Sequence, residues 1–179
     1  MSTGLMIITI IVALIVLLLI IALFMDKNMA IEKTITINKP RQQVFDYVKY
    51  VKNHDNFSVW AMMDPEMKKE YRGTDGQEGF VFAWDSVKKK NVGAGEQEIK
   101  KVSAPNEIDW ELRFFRPMQD VAKAKMITDS VSGNQTKVQW GFYSKMKFPM
   151  VLMKPMITGM LGKSLEKGLV NLKGVLERG

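Results

Sequence analysis

The sequence predicts an α+β protein, in which one transmembrane helix precedes a curved antiparallel sheet wrapped around a long C-terminal helix. Three features carry this prediction. An uncharged apolar run extends from Leu5 to Met25. Between residues 67 and 143, apolar and polar residues alternate in several short segments. From Leu161 to Leu176, leucines recur at helical spacing.

The apolar run is long enough to cross a bilayer once. It carries no charge and consists mostly of Leu, Ile and Val, and as a helix it would extend about 30 Å. A cleaved signal peptide is the alternative, but Met1 to Gly4 contain no basic residue and the sequence before Asp26 is a poor cleavage site. We therefore predict an anchor at residues 1–25, a short linker at 26–29 and one globular domain at 30–179.

Basic residues follow the apolar run, whereas none precedes it. Lys27, Lys33, Lys39 and Arg41 lie within the short distance over which positive charge favours the cytoplasmic side. The formal net charge is +7. Lysine runs such as Lys88–Lys90 are interpreted as a solvated surface beside an anionic leaflet, because no nucleic-acid-binding motif accompanies them. The domain is therefore expected on the cytoplasmic side, without a nucleic-acid partner.

The region after the linker predicts a strand, two short helices and then about six strands. Ile31, Ile35 and Ile37 share one face of the first strand, and Pro40 suits the first turn of the helix that follows. The alternation is clearest from Ile108 to Phe114. Because short turns join the later segments, a meandering antiparallel sheet is expected.

A long helix is predicted from about Pro149 to Glu177. Pro155 is expected to end or kink its first turns. Glycines on its packed face would let the helix approach the sheet closely. A sheet with one apolar face needs a cover, and this helix is the only long amphipathic element. Its apolar stripe consists of Leu161, Leu165, Leu169, Leu172 and Leu176.

This order of elements, together with several local segments, resembles the START-like, or SRPBCC, superfamily. The resembling segments are Pro40, residues 44–48, 53–60 and 63–65, and Gly95 to Gln97. The chain looks most like bacterial members grouped with polyketide cyclases and dehydrases, to which the N-terminal anchor is an addition. The resemblance implies a helix-grip fold, whose internal cavity is adapted in such proteins to lipids, quinones, hormones and polyketides.

Large side chains on the inferred inner faces, and methionines at the start of the last helix, are the candidates for lining such a cavity. They are Phe80, Phe82, Trp84, Gln97, Trp110, Phe114, Met126, Trp140, Phe142, Met153 and Met160. Residues of these types also make ordinary core, and the resemblance favours the cavity. Methionine suits surfaces that accommodate varied apolar ligands. The amide of Gln97 would bond to protein or water, or orient a ligand.

The sequence offers few residues for catalysis. The single histidine, His54, has no accompanying nucleophile motif and is expected to be exposed or to cap a helix. Alternation with Ile99 puts Glu96 and Glu98 on the solvent side. The absence of cysteine excludes a disulfide framework and thiolate metal sites. No catalytic residue, metal or cofactor is therefore predicted.

The leading functional hypothesis is membrane-anchored, noncatalytic binding of a hydrophobic small molecule or lipid. Two alternatives stay open: an enzyme of the polyketide cyclase, dehydrase or hydrolase type, and a membrane-bound interaction scaffold with a closed core. Inward polar groups beside a pocket would favour the enzyme, and a solid core would favour the scaffold. The sequence does not specify the ligand or the oligomeric state.

Overall fold

The first element of the chain is a long apolar helix, α1 (Thr3–Phe24). In the computed structural model, which describes residues 2–178, the Ser2 hydroxyl caps this helix by accepting from the backbone N–H of Leu5. Only Ala22 among its residues is buried. The helix is long and apolar enough to cross a membrane, and the rest of the described protein covers little of it.

Seven strands form one antiparallel sheet in the order β1-β7-β6-β5-β4-β3-β2. Strands β2 to β7 form a meander, and β1 pairs with β7 at one edge. Register shifts between β4 and β5 interrupt the regular pairing, and such shifts bend a sheet. The bounds are β1 Asn28–Ile37, β2 Lys68–Arg72, β3 Val81–Asp85, β4 Ala94–Ser103, β5 Glu107–Arg116, β6 Asp120–Ser132 and β7 Gln135–Lys145.

Two short helical segments connect β1 to β2. They are α2 (Arg41–Val48) and a 3₁₀ helix (Val51–Asn56). The carboxylate of Asp75 accepts hydrogen bonds from the backbone N–H groups of Val51 and Lys52, at 2.8 and 3.1 Å. These N–H groups lack helical partners because they begin the 3₁₀ helix, so the carboxylate fixes its start.

The C-terminal helix α3 (Lys154–Arg178) follows a 3₁₀ turn at Met150–Met153 and runs beside β1. Lys33 Nζ is 3.2 Å from the carboxylate of Glu166, and Lys173 Nζ donates to the carbonyl of Thr36 at 2.9 Å. The two elements therefore run in the same direction, from the α1 end of the domain. Pro155 lies in the first turn of α3, where it is compatible with a helix.

The leucine stripe of α3 packs on the sheet as predicted, with Leu165, Leu169, Leu172 and Leu176 buried. A Cβ atom placed on Gly168 would lie 2.8 Å from the indole of Trp140. Only a glycine lets the helix come this close to β7. The curved antiparallel sheet and its long C-terminal helix confirm the helix-grip fold predicted from the sequence.

The connection between α1 and β1 is shorter than the predicted linker, because β1 already begins at Asn28. Lys154 Nζ donates to the backbone carbonyl and to the carboxylate of Asp26, at 2.9 and 3.1 Å. The backbone N–H of Met146 donates to the carbonyl of Lys27 at 2.8 Å. The end of α1 is thus tied to the start of α3 and to the end of β7.

Candidate functional site: an apolar cavity under the C-terminal helix

A cavity of about 390 Å³ lies between the inner face of the sheet and α3. Its wall is mostly apolar, and it receives side chains from all seven strands, from the 3₁₀ helix and from α3. Leu161 and Leu165 of α3 contribute to the wall, as do Met29 of β1 and Met150 of the 3₁₀ turn. The volume is within the range of about 300–1,000 Å³ that is typical of small-molecule sites.

Seven of the residues predicted from the sequence line this cavity. Period-two alternation brings them together, because every second residue of a strand faces the same side of the sheet. Gly95 of β4 makes room for one of them, since a Cβ atom there would lie 2.7 Å from the indole of Trp84. The seven are Phe82, Trp84, Gln97, Trp110, Phe114, Trp140 and Phe142.

The other four predicted residues lie outside the cavity wall. Phe80 precedes β3 and stacks on Tyr71, with ring centroids 6.2 Å apart. Met126 is fully buried in the core, at a position of β6 opposite Ile108. Met153 and Met160 are exposed, because they lie on the outer side of the segment whose inner side carries Ile157 and Leu161.

Strand β5 extends along the cavity from its buried end to its rim. Trp110, Leu112, Phe114 and Arg116 alternate along the strand and all line the cavity. Trp110 is only 1% exposed, whereas Arg116 is exposed at the end of the strand. They are six positions apart along the strand, a distance of about 20 Å. The cavity is therefore elongated, with aromatic walls between two polar ends.

At the rim of the cavity, polar side chains form an ion pair and hydrogen bonds. Arg116 forms an ion pair with Asp85 at the end of β3. Asp120 accepts a hydrogen bond from the Ser144 hydroxyl at 3.0 Å. Lys147 Nζ donates to the backbone carbonyl of Gln119 at 3.0 Å. These bonds hold the β5–β6 turn against the end of β7 and shape the opening.

At the buried end, His54 lies among aromatic rings, which corrects the expectation of an exposed or capping residue. Its side chain is almost fully buried and lines the cavity. The centroid of its imidazole is 5.1 Å from that of Phe57 and 5.3 Å from that of Trp110, both in edge-to-face geometry. The polar stretch around His54 gave no sign of this burial, because the apolar partners come from distant strands.

Burial lowers the pKa of His54 to about 4, an effect that a backbone interaction with Val48 and the carboxylates of Asp75 and Asp55 oppose only in part. The imidazole is therefore neutral at pH 7. Its Nε2 atom and the indole Nε1 of Trp110 have no hydrogen-bond partner in the described part of the chain. Hence no nucleophile of the described residues is hydrogen-bonded to Nε2 of His54. The buried end of the cavity also carries two polar atoms without a hydrogen bond to the described protein atoms.

We expect the stability of the protein to fall between pH 7 and pH 5 because of this histidine. The ring has a pKa of about 4 in the folded state and of about 6.5 in the unfolded chain. As the pH falls, the unfolded chain binds the proton first, so folding loses stability from about pH 6.5 down to about pH 4. By pH 5 the loss should be about 2 kcal/mol. Urea unfolding of a chain beginning at Lys27, at both pH values, measures it.

The chain contains a single histidine, so the variant His54→Phe is a direct control for this pH dependence. The variant keeps an aromatic ring at the position and should lose most of the change between pH 7 and pH 5. A wild-type protein that is equally stable at both pH values would contradict the burial of a neutral imidazole.

Solved structures establish the same fold at low sequence identity. Norcoclaurine synthase from Thalictrum flavum, in complex with dopamine and hydroxybenzaldehyde, has 11% identity and a TM-score of 0.63, over 85% of this chain and 88% of that one. The Aha1 dimer from Colwellia psychrerythraea has 12% identity and a TM-score of 0.58, over 83% and 96%. The di-domain ARO/CYC BexL of the BE-7585A biosynthetic pathway has 14% identity and a TM-score of 0.60, over 86% of this chain and 51% of that one.

No protein-family model matches the chain, and no curated protein matches it. The structural likeness therefore concerns the fold, which is of the helix-grip type.

Proposed function

We propose that this protein binds a hydrophobic small molecule or lipid in the cavity under α3, without catalysing its conversion. The observation that carries the proposal is the cavity itself, an elongated space with aromatic walls between the sheet and α3. A protein interior is normally filled to the density of an organic crystal. An open volume of about 390 Å³ with apolar walls favours an apolar occupant over a closed-core scaffold.

Similar proteins support a ligand-binding use of the fold. The norcoclaurine synthase structure contains dopamine and hydroxybenzaldehyde, and BexL belongs to a biosynthetic pathway. Both are catalytic proteins by their names, so the fold is compatible with an enzyme. The argument for binding alone comes from the residues that the structure describes. Among them, no nucleophile is hydrogen-bonded to His54, and Glu96 and Glu98 accept hydrogen bonds from Arg113 on the outer face of the sheet.

The proposal includes anchoring of the domain to a membrane through Leu5 to Met25. The supporting observations are the length and the exposure of α1, whose apolar side chains, except Ala22, are not covered by the described part of the protein. We also propose that the domain lies on the cytoplasmic side, since Lys27, Lys33, Lys39 and Arg41 follow the helix. Alkaline phosphatase is active only outside the cytoplasm. Activity of this enzyme fused after the last residue would therefore reverse the proposed orientation.

Native mass spectrometry tests the binding proposal. The chain beginning at Lys27, purified from its host without detergent, should carry an apolar molecule that organic extraction removes and identifies. The same preparation of the Ala124→Phe variant, in which a large ring enters the cavity, should carry much less of it. An empty wild-type protein that also fails to take up added fatty acid or sterol would contradict the proposal. Chemical turnover of a bound compound, lost in His54→Phe, would favour the enzyme.

A further inference from the structure

The rim of the cavity and the end of α1 lie at the same end of the sheet. Asn28 at the start of β1 pairs with Lys145 at the end of β7. The next residue, Met146, bonds to the carbonyl of Lys27 and lines the cavity. The opening of the cavity is therefore only a few residues from the segment that leaves α1.

Exposed apolar side chains are concentrated at this end of the domain. Thirteen large apolar side chains of the described residues are exposed outside α1, and eight of them lie here. They belong to the β3–β4 loop, to the β5–β6 region and to the segment that leads into α3. Among them are Val87, Met118, Phe148 and Met156. A clustered apolar surface of this kind marks an interaction site.

Lysines surround these apolar side chains. Asp26 and Asp85, two acidic residues of this end, are paired with Lys154 and Arg116. A third acidic residue, Asp120, accepts a hydrogen bond from the Ser144 hydroxyl, and Lys88 is paired with Glu66. Because five further lysines lie at this surface, its net charge is still positive. These five lysines are Lys27, Lys89, Lys90, Lys145 and Lys147.

We propose that this end of the domain, which we call the rim face (residues 86–93, 115–121 and 145–160), docks on the anionic headgroups of the membrane that holds α1. The proposal rests on the anchoring proposed above. Only Met25 to Lys27 connect α1 to β1, and three extended residues reach about 10 Å. The rim face therefore stays beside the headgroups, where lysines meet anionic lipid and apolar side chains enter the interface.

This docking places the opening of the cavity directly against the leaflet. An apolar ligand can then pass between the bilayer and the aromatic walls without crossing bulk water. Met118 and Met150 flank this route, since both line the cavity and belong to the rim face. The rim face is thus the surface through which the cavity exchanges its ligand.

Single-cysteine labelling of the full-length protein tests this docking. The chain has no cysteine, so a spin label reports from one site only. Met118 is 55% exposed in the rim face, and Val131 is 57% exposed near the β6–β7 turn at the opposite end, which makes Val131→Cys a matched control for Met118→Cys. Both proteins are inserted in nanodiscs of phosphatidylcholine, with and without phosphatidylglycerol.

In nanodiscs that contain phosphatidylglycerol, the label at position 118 should become severalfold more accessible to oxygen than to a water-soluble nickel chelate. The label at position 131 should stay fully accessible to the chelate. The double variant Lys89→Gln, Lys90→Gln should make the label at position 118 more accessible to the chelate. The double variant Lys39→Gln, Lys137→Gln removes the same charge from the opposite end of the domain and should leave the accessibility of this label unchanged. A label at position 118 that behaves like the one at position 131 would overturn the docking.

The outcome separates the docking from the proposed function. If the domain carries an apolar ligand and the label at position 118 stays in water, the rim face does not dock and the binding proposal stands. If the label enters the interface and no ligand is found, the docking stands and the binding proposal fails. A label buried equally in neutral and anionic nanodiscs, and insensitive to the lysine variants, would overturn the role of the charges.

Discussion

Removing residues 2–26 is expected to move the protein from the membrane fraction into the soluble fraction. The 22 residues of α1 carry no charge, and only Ala22 is buried against the domain. Insertion of its aliphatic side chains contributes on the order of −5 to −10 kcal/mol, which corresponds to a partition ratio above about a thousand. The full-length protein should therefore resist extraction with alkaline carbonate, whereas a chain beginning at Lys27 should be soluble.

A charged variant distinguishes membrane insertion from simple aggregation. Ile11→Arg with Leu14→Arg places two charges near the middle of α1, at a cost of about 2.5–3.5 kcal/mol each. Carbonate extraction should then release much of the protein, whereas an aggregate would stay in the pellet. A soluble mature protein shortened by about 25 residues would identify α1 as a signal peptide instead.

The architecture of the domain was predictable because its patterns are local. The alternation from Ile108 to Phe114 defines β5, and the leucine spacing from Leu161 to Leu176 defines the packed face of α3. These patterns depend on the periods of strand and helix, which do not change with tertiary context. The orientation of Gln97 towards the inside followed from the same argument.

The extent of the cavity was not predictable, since it depends on which elements cover the sheet. Phe80 and Phe82 have the same alternation and both stack on Tyr71, yet only Phe82 lines the cavity, whereas Phe80 is fully buried just before β3. Met126 faces the same side of the sheet as Ala124 but lies fully inside the core. Alternation gives the face that a side chain occupies, and the covering elements decide whether space remains above it.

His54 shows the opposite failure, in which a polar residue in a polar segment becomes part of the site. Phe57 comes from the residues that follow the 3₁₀ helix, whereas Trp110 and Trp140 come from β5 and β7. Two of the three aromatic partners are thus more than fifty residues away in the chain. No local pattern records such contacts, so burial and the low pKa of the imidazole emerge only from the assembled fold.

Filling the cavity should abolish ligand binding while leaving the domain folded. Ala124 lies on the inner face of β6, between Trp110 of β5 and Phe142 of β7, and lines the cavity. The variant Ala124→Phe therefore places a ring in the space that we assign to the ligand. We expect affinity for an added fatty acid or sterol to fall more than tenfold, equivalent to at least about 1.4 kcal/mol. Tryptophan fluorescence titration of the chain beginning at Lys27 measures this change.

The control for this variant is Val138→Phe, which overfills the core at a fully buried position that does not line the cavity. Overpacking of this kind costs about 1–3 kcal/mol of unfolding free energy, so both variants should be less stable than the wild type in urea. Only Ala124→Phe should lose the ligand at a urea concentration where both are folded. If the two variants bind equally well, the space beside Ala124 does not hold the ligand. If both variants lose binding in proportion to their loss of stability, the loss of binding is a result of unfolding and not of a filled cavity.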